Sequence, residues 1–141
     1  MSRVYWDTML FAYMLESHPE HGARVREILG HMVRRRDTLV TSVFTVGEVL
    51  TGPYKRGALE MVARTKELLR PPVVELLPFD ATTAERYAQL RATLRVYPAD
   101  AIHLASAAQA GVDLFLTNDR ALRGLVVPGI DFVAGLDVNL F

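Results

Sequence analysis

Residues 4–11 read VYWDTMLF, an apolar stretch interrupted by a single acidic residue, Asp7. The β-branched and aromatic residues before this acid predict a short strand over residues 4–6. The pattern after it predicts a helix over residues 8–16, which the Ser-His-Pro sequence at 17–19 ends. A strand that leads directly into a helix is the first half of a β-α-β unit. The stretch therefore predicts an α/β fold with Asp7 at the carboxyl end of the first strand.

The remainder of the chain continues this alternation of strands and helices. Helices are predicted over 20–36, from the N-cap Ser42 to Leu50, over 58–69, from the N-cap Asp80 to about Leu94, and over 99–110, with at most a short helix at 120–123. Strands are predicted over 39–41, 73–77, 113–117 and 131–133. Thr51-Gly52-Pro53 is expected to stop the third helix. We expect one domain over residues 1–141, with a mostly parallel central sheet flanked by helices.

Three further acidic residues lie in apolar surroundings: Glu48, Asp100 and Asp119. An unpaired buried carboxylate is costly, so such groups are either paired or bind a metal ion. In open α/β sheets the functional site lies beyond the carboxyl ends of the strands, where these positions and Asp7 can meet. Oxygen ligands without any cysteine favour one or two Mg²⁺ or Mn²⁺ ions.

Each acid also has a simpler explanation. Asp7 can cap the helix that follows it, and Asp100 in the first turn of its helix is favoured by the helix dipole. Asp119 can start a turn, and Glu48 can lie on a partly exposed helix face. Capping does not apply to Glu48, because it lies well inside its helix.

Composition limits the kinds of function. The chain has 141 residues, half of them hydrophobic, and no cysteine, which excludes a disulfide framework and a thiolate nucleophile. No apolar run approaches a membrane span, and the first residues lack a signal-peptide layout, so a cytoplasmic protein is expected. The net charge is zero, so any RNA contact must depend on a local basic patch. The candidates are Arg34, Arg35, Arg36, Lys55 and Arg56.

Four motifs resemble those of the PIN-domain nucleases and, within them, the VapC-like toxins of type II toxin–antitoxin pairs. They are YWDT at residues 5–8, VGEVLTG at 46–52, DAIHLASA at 100–107 and LTNDR at 116–120. The resemblance implies that Asp7, Glu48, Asp100 and Asp119 bind one or two Mg²⁺ or Mn²⁺ ions and cleave RNA. It also implies a homodimer that is neutralised by a small VapB-like antitoxin. Many relatives carry a small polar residue where this chain has Met9.

Four polar residues near the acids are further candidates for ligand, hydrogen-bond or substrate contacts: Thr8, His103, Thr117 and Asn118. Thr8 and Thr117 match polar positions that the family often places beside its acids. His103 lies one helical turn after Asp100, which leaves two alternatives open: a contact with Asp100 or RNA, or the structural role that such a histidine more often has.

Other functions fit the sequence less well. An aspartyl-phosphate phosphotransferase normally has a second Asp two residues after the first, where this chain has Met9, and a receiver domain needs an acidic pair that is absent here. A structure-selective DNA nuclease generally needs a longer chain to grip a junction. The alternative that remains is a non-catalytic RNA-binding or complex-forming module on the same fold.

Overall fold

The computed structural model describes residues 1–139 as one α/β unit with a five-stranded sheet. Its strands are β1 (Arg3–Trp6), β2 (Thr38–Ser42), β3 (Glu75–Leu77), β4 (Leu114–Leu116) and β5 (Phe132–Ala134). Its helices are α1 (Thr8–Leu15), α2 (Gly22–Arg35), α3 (Val43–Lys55), α4 (Leu59–Leu68), α5 (Ala81–Thr93) and α6 (Pro98–Ala110). The expected α/β architecture is therefore confirmed, and residues 140–141 of the expected domain lie outside the described part.

All four pairings in the sheet are parallel, and the strand order is β3-β2-β1-β4-β5. The central strand β1 pairs with β2 on one side and with β4 on the other, with Trp6 in register with Leu116. The neighbours of β1 in the sheet are thus the next strand in the chain, β2, and a much later one, β4. The two edge strands, β3 and β5, are three residues long.

Alternation along β1 divides the hydrophobic core into two layers, because successive side chains of a strand point to opposite faces. Val4 and Trp6 face one layer, with buried residues of α1, α2 and α3. Tyr5 faces the other layer, where its ring stacks on Phe115 at a centroid distance of 4.9 Å, beside residues of α5 and α6. Helices therefore cover both faces of the sheet, as expected for parallel strands.

Helix α3 does not end at Thr51-Gly52-Pro53, so the expected stop is wrong. It continues to Lys55 with Pro53 inside the last turn. Pro53 is buried against α1 and α4, in a small cleft with Ala12 and Met61. Packing of this turn between two helices outweighs the backbone hydrogen bond that proline cannot donate.

Smaller differences concern the ends of elements. Strand β3 is shorter than predicted, because residues 73–74 belong to the turn that leads into it, and residues 120–123 form a turn without a helix. The predicted caps are confirmed: Ser42 Oγ accepts from the Thr45 amide at 3.3 Å, and Asp80 Oδ1 accepts from the Thr83 amide at 2.9 Å. Within residues 1–139, none of the helices combines the length and apolarity needed to cross a membrane.

Candidate active site

The four acids lie at the carboxyl edge of the sheet. Asp7 directly follows β1, and Asp119 comes three residues after β4. Helix α3 starts at the carboxyl end of β2 and carries Glu48 in its second turn. Helix α6 leads back into β4, so it starts at this edge and presents Asp100 in its first turn. Parallel pairing thus brings together acids that are up to 112 positions apart in the sequence.

Thr117 joins two of these acids. Its hydroxyl donates to Asp7 Oδ2 and accepts from the backbone amide of Asp119 at 3.0 Å. The other oxygen of Asp7 accepts from the Met9 amide at 3.1 Å, so Asp7 also caps α1. Asp119 Oδ1 accepts from the Ala121 amide at 2.9 Å. As the simpler explanations state, Asp7 caps α1 and Asp119 starts a turn. Both carboxylates also lie at the carboxyl edge of the sheet.

Of the acids at this edge, His103 makes its hydrogen bond to Glu48. Its Nε2 lies 2.7 Å from Glu48 Oε1, and Thr8 donates its hydroxyl to the same oxygen. Asp100 and His103 lie on the same helix, but the His103 ring is buried between α6 and α3. Within residues 1–139, Glu48 Oε2 and the carboxylate of Asp100 have no hydrogen-bond partner.

Electrostatics show that Asp100 is close to two other acids. Burial raises the pKa of Asp100, and the negative charges of Asp119 and Glu48 raise it further, against the lowering effect of His103. A like charge shifts a pKa only when it is near, so Asp100 lies within electrostatic reach of both acids. This coupling is the clearest sign that the acids form one group.

The pKa values of Asp7 and Glu48 are shifted in opposite directions. Burial raises the pKa of Asp7 from 3.8 to about 6, although the bond from Thr117 and the charge of His103 act against it. Burial also acts to raise the pKa of Glu48, but hydrogen bonds from His103 and Thr8 outweigh it and leave that pKa lowered. Near neutral pH, Glu48 is thus a firmly ionised acceptor, whereas Asp7 is ionised against the cost of burial.

The donor chemistry of the site fits a hard divalent cation, because such ions prefer carboxylate oxygens and the charge of Asp100 is repelled by those of Asp119 and Glu48. The arrangement is not a finished coordination cage: among residues 1–139, no group of three His, Asp or Glu side chains is placed to hold a metal ion directly. Asp7 and Glu48 are engaged in protein hydrogen bonds, whereas Asp100 has none. The side chains present would therefore have to turn toward a bound ion.

Asn118 faces away from the acids. Its amide donates to the Tyr13 hydroxyl at 3.0 Å and lies 3.4 Å from His21 Nε2, and its carbonyl oxygen accepts from Arg123 at 3.4 Å. These contacts tie the loop after β4 to α1 and to the start of α2. Asn118 thus fixes this loop, and no contact places it beside Asp7.

The basic candidates occupy different parts of the fold. Arg34, Arg35 and Arg36 lie at the end of α2, directly before β2, and Arg35 lines a cleft with Ser2 and Asp131 at the amino edge of the sheet. This run is therefore at the edge opposite to the four acids. Lys55 is exposed on α3, two turns beyond Glu48 on the same helix face, and Arg56 follows it.

A second basic surface, absent from the sequence-based candidates, lies at the start of α6, the helix that carries Asp100 in its first turn. Arg91, Arg95 and Tyr97 line a concavity of about 490 Å³ between the end of α5 and the start of α6. Tyr97 is the N-cap residue of α6 and is 79% exposed. Arg91 contacts the Tyr87 hydroxyl, and Arg95 has no ion-pair partner within residues 1–139. The signal in the sequence was the RVYPAD segment at 95–100, in which a basic and an aromatic residue directly precede the acid.

Comparison with known proteins identifies the family. The PIN domain family matches residues 4–126, which is most of the chain. The chain therefore belongs to the PIN-domain family. No curated protein sequence matches it.

Solved structures with the same fold include VapBC complexes and a VapC toxin. The chain is similar to one in DNA-bound VapBC from Salmonella typhimurium, with 23% identity, a TM-score of 0.75 and coverage of 96% of this chain and 99% of the other. It is also similar to one in VapBC2 from Rickettsia felis bound to a promoter DNA fragment, with 17% identity, a TM-score of 0.74 and coverage of 94% and 98%. VapC20 from Mycobacterium tuberculosis, described as a sarcin-ricin loop cleaving toxin, is 15% identical, with a TM-score of 0.66 and coverage of 79% and 86%.

The raised pKa of Asp7 predicts a specific pH dependence of stability. Because the folded pKa of about 6 is above the unfolded value, the contribution of Asp7 is most favourable below about pH 4 and is lost as pH rises to about 6. In metal-free protein near pH 7.5, Asp7→Asn should therefore increase the free energy of unfolding by about 1–3 kcal/mol, since the Asn oxygen can still cap α1 and its amide can donate to the Thr117 hydroxyl. Urea unfolding between pH 4 and 8 measures this difference, which should vanish near pH 4.

The matched control is Asp131→Asn, an exposed acid at the amino edge. It should leave the pH profile unchanged. A difference between wild type and Asp7→Asn that is the same at every pH would show that Asp7 does not carry this burial cost.

Proposed function

We propose that this protein is a metal-dependent endoribonuclease and the toxin of a VapBC-type toxin–antitoxin pair. The observation that carries the proposal is the electrostatic coupling of Asp100 to Asp119 and Glu48 at the carboxyl edge of a PIN-domain sheet. The similar VapC20 is described as a sarcin-ricin loop cleaving toxin, which supports a cleavage reaction here as well.

In the proposed reaction, Asp7, Glu48, Asp100 and Asp119 would hold one or two Mg²⁺ or Mn²⁺ ions. Such an ion, when bound, lowers the pKa of a coordinated water and offsets negative charge on the phosphate that is attacked. Asp100 supplies oxygens that no protein group within residues 1–139 occupies, and Asp7, with its pKa of about 6, is ionised near neutral pH and supplies anionic oxygen as well. Thr117 and Thr8 hold the carboxylates of Asp7 and Glu48 at the edge.

We propose that RNA reaches the acids across the concavity formed by Arg91, Arg95 and Tyr97. Two guanidinium groups can bind phosphates in a bidentate manner, and an exposed tyrosine ring can stack on an unpaired base. Tyr97 of this surface is the N-cap residue of α6 and comes three positions before Asp100. Lys55 and Arg56 are a second set of phosphate contacts on the side of Glu48, whereas Arg34–36 are not part of this path.

The proposed partners are a second copy of the chain and a VapB-like antitoxin, with the cytoplasm as the site of action. The similar VapBC structures contain toxin and antitoxin together. Helix α1 offers little exposed apolar surface to either partner, because Leu10 and Phe11 are fully buried in the core while Met9 is well exposed. Exposed apolar surface is instead found beside Glu48, at Val43 and Phe79.

One observation favours the alternative, a non-catalytic RNA-binding or complex-forming module: no finished metal cage exists among residues 1–139. The alternative predicts that RNA binding persists while cleavage is absent with every divalent cation. The experiment below therefore separates the two functions.

Replacement of the acids should abolish cleavage. Asp7→Asn, Glu48→Gln, Asp100→Asn and Asp119→Asn should each lower the rate of RNA cleavage by about 100-fold or more, because each removes an anionic oxygen from the ion and displaces the attacking water. The measurement is cleavage of total cellular RNA with Mn²⁺ or with chelator, followed by mapping of the cut ends.

Asp131→Asn removes one acid from the opposite edge and should cleave like wild type. If Asp7→Asn and Asp100→Asn cleave as fast as wild type, the proposed site is wrong. If wild type binds RNA but does not cleave it, the alternative function holds.

Two pairs of arginines provide a matched test of the RNA path. Arg91→Gln with Arg95→Gln should weaken binding of single-stranded RNA by about 10-fold and should reduce the slope of log affinity against log salt by about 1.4, since two phosphate contacts are lost. Arg34→Gln with Arg36→Gln removes the same charge at the amino edge and should change neither quantity. Filter binding in the Asp100→Asn background, with chelator present, measures affinity without cleavage. Equal effects of the two pairs would overturn the proposed path.

The proposed toxin role predicts the effect of expression in cells. Expression of the chain alone should arrest growth, Asp7→Asn should remove the arrest, and co-expression of the adjacent small open reading frame should restore growth. Growth curves and colony counts measure the effect. Harmless expression of a folded protein that cleaves RNA well in vitro would contradict the toxin role and leave the nuclease function standing.

A further inference from the structure

His103 is a buried polar residue that the proposed chemistry does not use. It is 4% exposed, and both of its ring nitrogens have polar partners. Its Nδ1 lies 2.7 Å from the Tyr5 hydroxyl, and its Nε2 lies 2.7 Å from Glu48 Oε1. The ring of Phe44 lies 5.3 Å from the imidazole, centroid to centroid. The imidazole is therefore held in one orientation by contacts from two elements, β1 and α3.

The support for His103 comes from the centre of the sheet. Tyr5 belongs to β1, its ring stacks on Phe115 of β4, and its hydroxyl donates to Ser42 Oγ at the end of β2 at 3.0 Å. The chain of contacts runs from these three strands through His103 to Glu48 on α3. These contacts therefore tie the position of Glu48 to the central strands of the sheet.

Glu48 needs such support, because its own position leaves it free to move. Its side chain is 32% exposed, and it lies in mid-helix with several rotatable bonds. Both of its partners, Thr8 and His103, bind Oε1. Oε2 has no hydrogen-bond partner within residues 1–139, so it stays available while Oε1 is fixed.

The direction of the hydrogen bond follows from chemistry. A carboxylate only accepts hydrogen bonds, so the nitrogen that faces Glu48 carries the proton and donates. A group that orients a carboxylate ligand in this way affects metal affinity without touching the metal.

We propose that His103 is a positioning residue that orients Glu48 for a divalent cation, with Tyr5 and Thr8 as its supports. This role rests on the proposed nuclease function. In this role His103 itself binds neither the cation nor RNA.

The test compares two replacements of similar size. His103→Gln can still donate an amide hydrogen toward Glu48, whereas His103→Leu cannot. Binding of Mn²⁺, followed by the loss of the electron paramagnetic resonance signal of the free ion, should be about 10- to 100-fold weaker in His103→Leu and close to wild type in His103→Gln. Tyr5→Phe, which removes one hydroxyl and keeps the stacked ring, should weaken binding in the same direction by less than His103→Leu does.

The control is Ser106→Ala, a buried polar residue of the same helix whose hydroxyl donates to the Ile102 carbonyl. It should bind Mn²⁺ like wild type. A second measurement needs no metal: in thermal melts of metal-free protein, the loss in Tm for His103→Leu with Glu48→Ala should be smaller than the sum of the two single losses, since both remove the same contact.

The outcomes separate the two proposals. If wild type binds Mn²⁺ and cleaves RNA but His103→Leu and Tyr5→Phe bind Mn²⁺ equally well, only the positioning role is overturned. Additive losses in Tm would overturn it as well, because the contact would not exist in solution. If wild type neither binds Mn²⁺ nor cleaves RNA, the proposed nuclease function is overturned together with the positioning role, and the His103 contact serves only the fold.

Discussion

The hydrogen bond from Thr117 to the buried carboxylate of Asp7 fixes the geometry of the whole carboxyl edge. It joins the ends of β1 and β4, the two strands whose parallel pairing closes the centre of the sheet. The same threonine accepts from the Asp119 amide, so the loop after β4 is held in place by the acid that follows β1. A carboxylate in this environment needs such a donor, because burial without one is far more costly. Local stability and placement of the functional groups therefore depend on the same contact.

The elements that lie closest to the sheet were the most predictable from the sequence. Short β-branched and aromatic runs located all five strands, and the order of elements predicted parallel pairing. The positions of Asp7 and Asp119 directly after strands were enough to place them at one edge. Caps at Ser42 and Asp80 were also predictable, because capping depends on residues within one turn.

Contacts between distant elements were less predictable. The sequence shows that His103 lies one turn from Asp100, but it does not show that the ring is buried between α6 and α3, where Glu48 is the nearer carboxylate. The predicted end of α3 was wrong for a similar reason, because the burial of Pro53 against α1 and α4 depends on residues far from it in the sequence. The arginines at 34–36 were chosen by charge alone. Their place directly before a strand is a topological signal that puts them at the amino edge.

The edge strands constrain how an extended peptide can associate with this sheet. Both β3 and β5 are three residues long, so either edge presents only a few free backbone donors and acceptors. Addition of a further strand would gain little backbone pairing, which also protects the protein from edge-to-edge aggregation. Recognition of an extended chain must therefore depend on side-chain pockets and charge, and its specificity can change by substitution at the surface without any change in the sheet.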